Sequence, residues 1–440
     1  MRHLDHPAAR LGLSTLILFT GWASDAWRNL IGWYGFGAVV LVMVVGSVLL
    51  IVRNRRRLTF NTLPIPLVVF LGLAALSIAW SYYPLSSLLG VTLTLLTTVC
   101  GLAVALTLTW DELLRVLGWV FRAILGLSYV FELVVSLVFR QPIFPVWMLN
   151  GPIPENPAKL LYWSRNLLLE GGKIQGIVGN SSLLAMVAIV ALIVFSIQLA
   201  SKAVRPVAGA FWILVALGTI AITRSATILI ALGVVAPVAA AVLLIRRTSA
   251  SRAAIPVRVA ILAGIAGVAA AAIVLRAPLL ASLGKSDTLT GRIGIWEAVI
   301  GLAQQRPVAG WGWVSYWVPW APPFDHLIRR GGVQVLHAHN AWLDVWLQLG
   351  IIGLVVVGAL VVSTLFRSWQ FATDRVRTTV GSQGSFRYLT LLPLLVLSAQ
   401  LVQSLAESRI LVEGGWMFLV IFAVMTKRGR IEPTPQGAVR

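Results

Sequence analysis

His339 and Asn340 stand where a long polar, tryptophan-rich stretch gives way to an apolar run. A histidine at such a boundary can meet both a membrane-embedded lipid and a water-borne acceptor. Imidazole has an ordinary pKa of about 6.5, so a useful fraction is neutral at physiological pH and can take a proton from a hydroxyl. The start of a helix adds the positive end of the macrodipole, which favours the neutral ring. Asn340 is a residue type suited to capping that helix and to fixing the imidazole. His337, two positions upstream, is a secondary candidate. Asp344 lies one turn into the helix and four residues before Gln348, so the two form a polar stripe. That stripe either hydrogen-bonds inside a bundle or reaches acceptor hydroxyls.

Two arginines accompany the histidine. Arg224 follows Thr223 at a tight turn between apolar runs, and Arg292 opens a short helix in Thr290-Gly291-Arg292. A guanidinium donates bidentate hydrogen bonds and keeps its charge when partly buried, which suits a diphosphate. Each arginine either stabilises charge on a departing lipid diphosphate or binds a phospholipid headgroup. Ile293, Trp296 and Ile300 recur at helical spacing, with Glu297, Gln304 and Gln305 polar, so this short helix is predicted to lie in the interface and end near Pro307. Trp296, Trp311, Trp313, Trp317 and Trp320 either anchor the loop at headgroup level or stack on sugar rings. Asn180, in Gly179-Asn180-Ser181, either caps the helix that follows or touches substrate.

The elements that must position these residues are membrane helices. Of 440 residues, 58% are hydrophobic and 11% charged, with a mean hydropathy of +0.89; soluble chains carry about 25% charged residues. Apolar runs at 11–23, 30–52, 64–80, 86–109, 116–139, 182–199, 207–223, 226–245, 256–276, 341–366, 386–403 and 410–426 predict twelve spans in a single polytopic membrane domain over 1–440. The net charge of +20 does not mark nucleic acid here, because the basic residues fall in short clusters between spans. Arg53, Arg55, Arg56 and Arg57; Lys202 and Arg205; Arg246, Arg247 and Arg252; Arg367, Arg375 and Arg377; and Lys427, Arg428 and Arg430 all fall on one side of that count. The positive-inside rule makes that side cytoplasmic, with both termini on it and membrane lipids against it. A first outer loop then covers 140–181, a large outer loop with the interfacial helix covers 277–340 before the tenth helix, and 427–440 is a cytoplasmic tail. Arg224 falls outside, where the rule gives no reason for a cation. Cys100 is the lone cysteine, so no intramolecular disulfide forms.

His339-Asn340, nine residues, then Gly350-Ile351-Ile352-Gly353 resembles the signature of the O-antigen ligase and polysaccharide polymerase superfamily. The likeness extends to Gly291-Arg292, to Arg306-Pro307-Val308-Ala309-Gly310-Trp311-Gly312, and more weakly to Trp80-Ser81, Gly179-Asn180 and Arg224-Ser225. It implies an all-α fold related to the C-type, lipid-dependent glycosyltransferases, in a bacterial inner membrane. It implies a polyprenyl-diphosphate-linked glycan as donor, a glycan or lipid acceptor, and neither metal nor other cofactor. His339 matches the family's histidine, and Arg224 and Arg292 its two arginines. Leu354 departs from the ligase signature and tilts the expectation toward a polymerase, in company with other polysaccharide-export components. Gly350 and Gly353, three apart, are expected to share one helix face and allow close packing.

The reaction so implied has His339 deprotonating an acceptor hydroxyl that displaces the lipid diphosphate with inversion. The absence of clustered outer carboxylates agrees with a metal-free route. The rival from another class is a secondary transporter or a lipid or glycan exporter. Against it stand lopsided loops, no two-fold repeat in hydropathy and few intramembrane acids, namely Glu132 and Asp344.

Overall fold

Long apolar runs, too short of charge to dissolve and able to satisfy their backbones only internally, dictate helices. A computed structural model describes residues 7–59, 61–149, 151–153, 155–248, 287–330, 333–374 and 386–431. In chain order these form α1 (Pro7–Trp22), α2 (Ser24–Arg53), α3 (Ile65–Leu76), α4 (Pro84–Thr107), α5 (Trp110–Val134) and α6 (Ser181–Ala200). There follow α7 (Pro206–Thr223), α8 (Ala226–Thr248), α9 (Asp287–Ala303), α10 (Ala341–Thr373), α11 (Leu392–Ser404) and α12 (Glu413–Ile431). Among the described residues the only ladder is a two-residue antiparallel pair, Arg329–Arg330 with Val333–Gln334.

Among the described residues, seven helices are long and apolar enough to cross a membrane: α2, α4, α5 with its extension to Phe139, α6, α7, α8 and α10. The predicted runs 11–23, 64–80, 386–403 and 410–426 fall on α1, α3, α11 and α12 with their short flanking turns. The run 256–276 lies outside the described residues. The chain is thus a multi-pass, all-α membrane protein. α12 continues to Ile431, so the first residues of the segment expected as a tail from 427 are helical. There Lys427 Nζ donates to Leu63 O, just ahead of α3, and Arg428 to Ala105 O in α4.

The core lies around α6, whose side chains from Leu183 to Val190 are all buried, and α12, buried from Trp416 to Met425. α6 packs on α5 and α7, and α12 on α4 and α10. α2 by contrast exposes Leu41, Val42, Val45 and Val52 to the lipid side.

α10 departs from expectation in a way that shapes the site. Gly350 has φ 65° and ψ −163°, so the helix breaks there instead of carrying two glycines on one face. The segment Pro307–Gly312 fills the break. Trp311 N donates to Leu347 O at 3.0 Å and Gly312 N to Gln348 O at 2.9 Å, while Ile351 N donates to Pro307 O at 2.9 Å and Ile352 N to Val308 O at 3.3 Å. Broken backbone at membrane depth survives only when such groups find partners. The approach is backbone to backbone: a Cβ on Gly350 would stand 2.1 Å from Val308 O, and one on Gly310 would stand 2.4 Å from Gln348 C.

Candidate active site

The sequence before α10 forms a tight polar corner. Asn340 is the N-cap, its Oδ1 accepting from Trp342 N at 3.0 Å and Leu343 N at 3.3 Å. His339 immediately before it has φ 49°, in the left-handed region that costs a non-glycine residue about 1–3 kcal/mol. Neighbouring bonds hold it there. His339 N–H donates to His337 Nδ1 at 3.1 Å, and Ala338 N–H donates to Asp344 Oδ2 at 3.0 Å. Asp344 also accepts from Ser408 Oγ, and at 1% exposure it is closed to any acceptor sugar. Of the two readings of its stripe, bundle-internal bonding is the one the geometry fits. Its partner Gln348 accepts from Val314 N and Ser315 N, both at 2.9 Å.

Glu407, between α11 and α12, joins two of the three expected site residues. Its Oε2 lies 3.0 Å from His339 Nδ1, and its Oε1 accepts from Arg292 at 3.0 Å. An ionised carboxylate only accepts, so the proton of the neutral imidazole sits on Nδ1 and the Nε2 lone pair is free. Glu407, not Asn340, therefore fixes the imidazole. A base oriented by a carboxylate is the arrangement of activated nucleophile sites generally.

Burial pushes Glu407 up, but its hydrogen bond with His339 and the nearby charges of His339, His337 and Arg292 outweigh that and leave it depressed, at about 2. His337 moves the other way from its role as a base. Burial first, then the His339 charge, lower it to about 3, with Glu407 opposing, so it is neutral at any working pH. The two imidazole centroids are 4.0 Å apart.

Arg292 does not open its helix as expected; α9 begins at Asp287, more than a turn earlier. Its side chain is 21% exposed, so the guanidinium reaches the surface beyond its carboxylate partner. Trp296, one turn on, donates Nε1–H to Ala338 O at 3.1 Å and so holds the corner from outside. Arg224, left-handed at φ 48° between α7 and α8, donates to Gly171 O at 3.0 Å and is joined to the first outer loop. Asn180 is the N-cap of α6, accepting from Ser182 N and Leu183 N. That loop is tied in turn to buried Glu132, which accepts from Gln175 N, Gly176 N and Ser164 Oγ.

The loop tryptophans correct the sequence reading. Trp311, Trp313 and Trp317 are 8%, 0% and 1% exposed, in the protein interior rather than at headgroup level or against sugar. Trp313 packs edge-on to Phe70 and donates to Thr94 Oγ1 at 3.0 Å. Only Trp320 among this group, at 70%, remains exposed.

His337, His339 and Glu407 each offer a ligand atom within 4.8 Å of the others, a set that can hold a metal ion. Here His337 Nδ1 already accepts the His339 N–H and Glu407 already meets both Arg292 and His339. A cation would have to displace these bonds and would face the Arg292 charge.

Residues 209–358 match the family model described as O-antigen ligase, a stretch that includes Arg224, Arg292 and His339 and stops short of Glu407. The chain is also similar to the exopolysaccharide production protein ExoQ of Rhizobium meliloti (strain 1021), with 31% identity over 91 residues. That similarity covers 20% of this chain and 21% of the relative, about a fifth of each.

Proposed function

We propose that this protein is a membrane glycosyltransferase of the ligase or polymerase kind. It moves a glycan from a polyprenyl-diphosphate carrier to an acceptor hydroxyl at the outer leaflet of a bacterial inner membrane. The observation that carries this reading is the shared carboxylate of Glu407, which orients His339 and Arg292 side by side. The similarity to O-antigen ligases and to an exopolysaccharide production protein supports it.

In the proposed reaction His339 Nε2 takes the acceptor proton as the acceptor oxygen bonds to the anomeric carbon. The bond from that carbon to the diphosphate oxygen breaks, and the electron pair leaves with the lipid diphosphate. Glu407 stabilises the imidazolium so formed. Arg292 keeps further N–H groups for the diphosphate, and Arg224 adds a second cation from the turn between α7 and α8. A single displacement inverts the anomeric centre, and no step needs a metal. Twelve spans with both termini cytoplasmic, in a fold related to C-type transferases, complete the proposal. Leu354 favours the polymerase, whose acceptor is another lipid-linked repeat.

The test uses purified protein, a polyprenyl-diphosphate-linked glycan and acceptor, with wild type against His339→Gln. Loss of a general base lowers turnover by about 10²–10⁴-fold, with donor binding retained. Equal rates would remove His339 as the base. Passage of intact donor across liposomes without transfer would point to an exporter instead.

A further inference from the structure

The far end of the bundle holds a cavity of about 620 Å³ that the transfer reaction does not use. α10 separates the two places. It starts at the His339 corner and ends at Thr373, where Ala372 O accepts from Arg246 at 2.8 Å. Arg246 also donates to Arg387 O and Thr390 Oγ1, which fixes the segment that brings Arg387 to the cavity wall. The start of α5, the end of α6 and this segment form the rest of the wall.

Its charge is unbalanced. Arg115, Arg122 and Arg387 line it against the single carboxylate of Asp111, which pairs with Arg387. Arg115 and Arg122 are seven residues apart on α5, two turns, and so share a face. Arg122 stands three turns into an apolar helix, where a cation is costly unless something answers it. Among the described residues its polar partner is neutral: Gln198 Oε1 accepts from Arg122 at 2.5 Å. Gln198 is itself 3% exposed and held by a 2.9 Å bond from Nε2 to Leu114 O. Phe195 lies beneath the guanidinium, 5.1 Å from ring centroid to Cζ.

Room for this pair is reserved in the backbone. A Cβ on Gly118 would come within 2.2 Å of Gln198 Nε2 and 2.9 Å of Arg122 Nη1. A buried amide therefore aims an uncompensated guanidinium into a cavity of ligand size. Exposed Trp119 and Tyr388 give the rim an amphipathic edge.

We propose that this cavity binds a phosphate anion, held by Arg122 and Arg115 at the membrane face opposite His339. The anion is either the headgroup of an anionic lipid, with its chains along the aromatic rim, or free phosphate. Both arginines suit phosphate oxygens, and Gln198 keeps the first of them in register.

The experiment measures retention of phosphatidylglycerol against phosphatidylcholine on the full-length protein by native mass spectrometry from mixed nanodiscs, with inorganic phosphate as competitor. Wild type is compared with Arg115→Gln, with Arg122→Gln and with Lys202→Gln, which removes a neighbouring charge that does not line the cavity. The expected result is preferential retention of phosphatidylglycerol, reduced by about tenfold or more in either arginine variant and unchanged in Lys202→Gln. Because Arg115 is exposed on α5, its variant folds even where Arg122→Gln does not. Displacement by millimolar phosphate alone, with no preference between the lipids, assigns the site to the free anion. Equal retention by all four proteins, or an equal loss in Lys202→Gln, overturns the proposal.

Discussion

His339 and Glu407 meet across 68 residues of sequence, Nδ1 to Oε2 at 3.0 Å, and the same carboxylate receives Arg292 on its other oxygen. One side chain thus sets the tautomer of the proposed base and the position of the proposed diphosphate ligand. Removing its charge while keeping its shape separates these effects. Glu407→Gln is expected to lower kcat by about 10²-fold or more. A variant that melts at a lower temperature yet turns over at the wild-type rate would assign Glu407 a purely structural part.

Acid stability follows from the two displaced groups. His337 is lowered from about 6.5 to about 3, so below 6.5 the unfolded chain takes up a proton that the folded site refuses. Glu407 is lowered from 4.5 to about 2, so its stabilising charge is complete above 4.5 and lost as pH falls toward 2. Both act in the same direction. Thermal unfolding in detergent should show Tm falling as pH drops from 6.5 to 4.5, and His337→Gln should flatten that part of the curve.

Gly350→Ala is expected to be severe for so small a change. Its backbone, with positive φ and extended ψ, alone costs an alanine about 1–3 kcal/mol, and the new Cβ would stand 2.1 Å from Val308 O. Activity should fall with the melting temperature. Gly358→Ala, in the same helix with open space around it, provides the control and should leave both unchanged.

Trp296→Phe removes the bond from Nε1 to Ala338 O and keeps the ring. A stability loss of about 0.5–1.5 kcal/mol is expected, with kcat reduced and donor KM little changed. A rise in donor KM with kcat intact would instead make Trp296 a sugar-stacking residue.

Chelation addresses the His337, His339 and Glu407 set directly. Transfer should persist in EDTA, and added zinc should inhibit by drawing His339 and Glu407 onto the ion. Loss of transfer in EDTA with recovery on adding a divalent ion would make the cluster a metal centre and end the proposed free-base role of His339.

The legible parts of this molecule were those written locally. Asn340 and Asn180 cap the helices they precede because capping needs only a side-chain oxygen two or three residues from free N–H groups. The spans follow from runs of apolar residues, and His339 from its place at the boundary. Glu407 carried no local sign: it is a lone acid in a short loop, significant only because α11 and α12 bring it to α9 and α10. The tryptophans misled for the opposite reason. Their abundance fits an interfacial belt, yet Trp313 reaches Phe70 and Thr94, contacts that no spacing encodes. Gly350 and Gly353 fit a packing motif by spacing, whereas the backbone at Gly350 had already left the helix.

The clasp between residues 307–312 and the break in α10 also sets an order of assembly. Trp80 Nε1 donates to Ala309 O, Tyr83 hydroxyl to Gly312 O and Trp313 N to Ser77 Oγ, so one side of the segment waits on chain made long before. The other side waits on Leu347 to Ile352, which leave the ribosome about forty residues later. Until the tenth helix enters the bilayer, the carbonyls of Pro307 and Val308 have no α10 donors to receive. Biogenesis therefore finishes the reaction corner last, and a chain truncated after Asn340 would keep His339 but carry it on an unlocked outer loop.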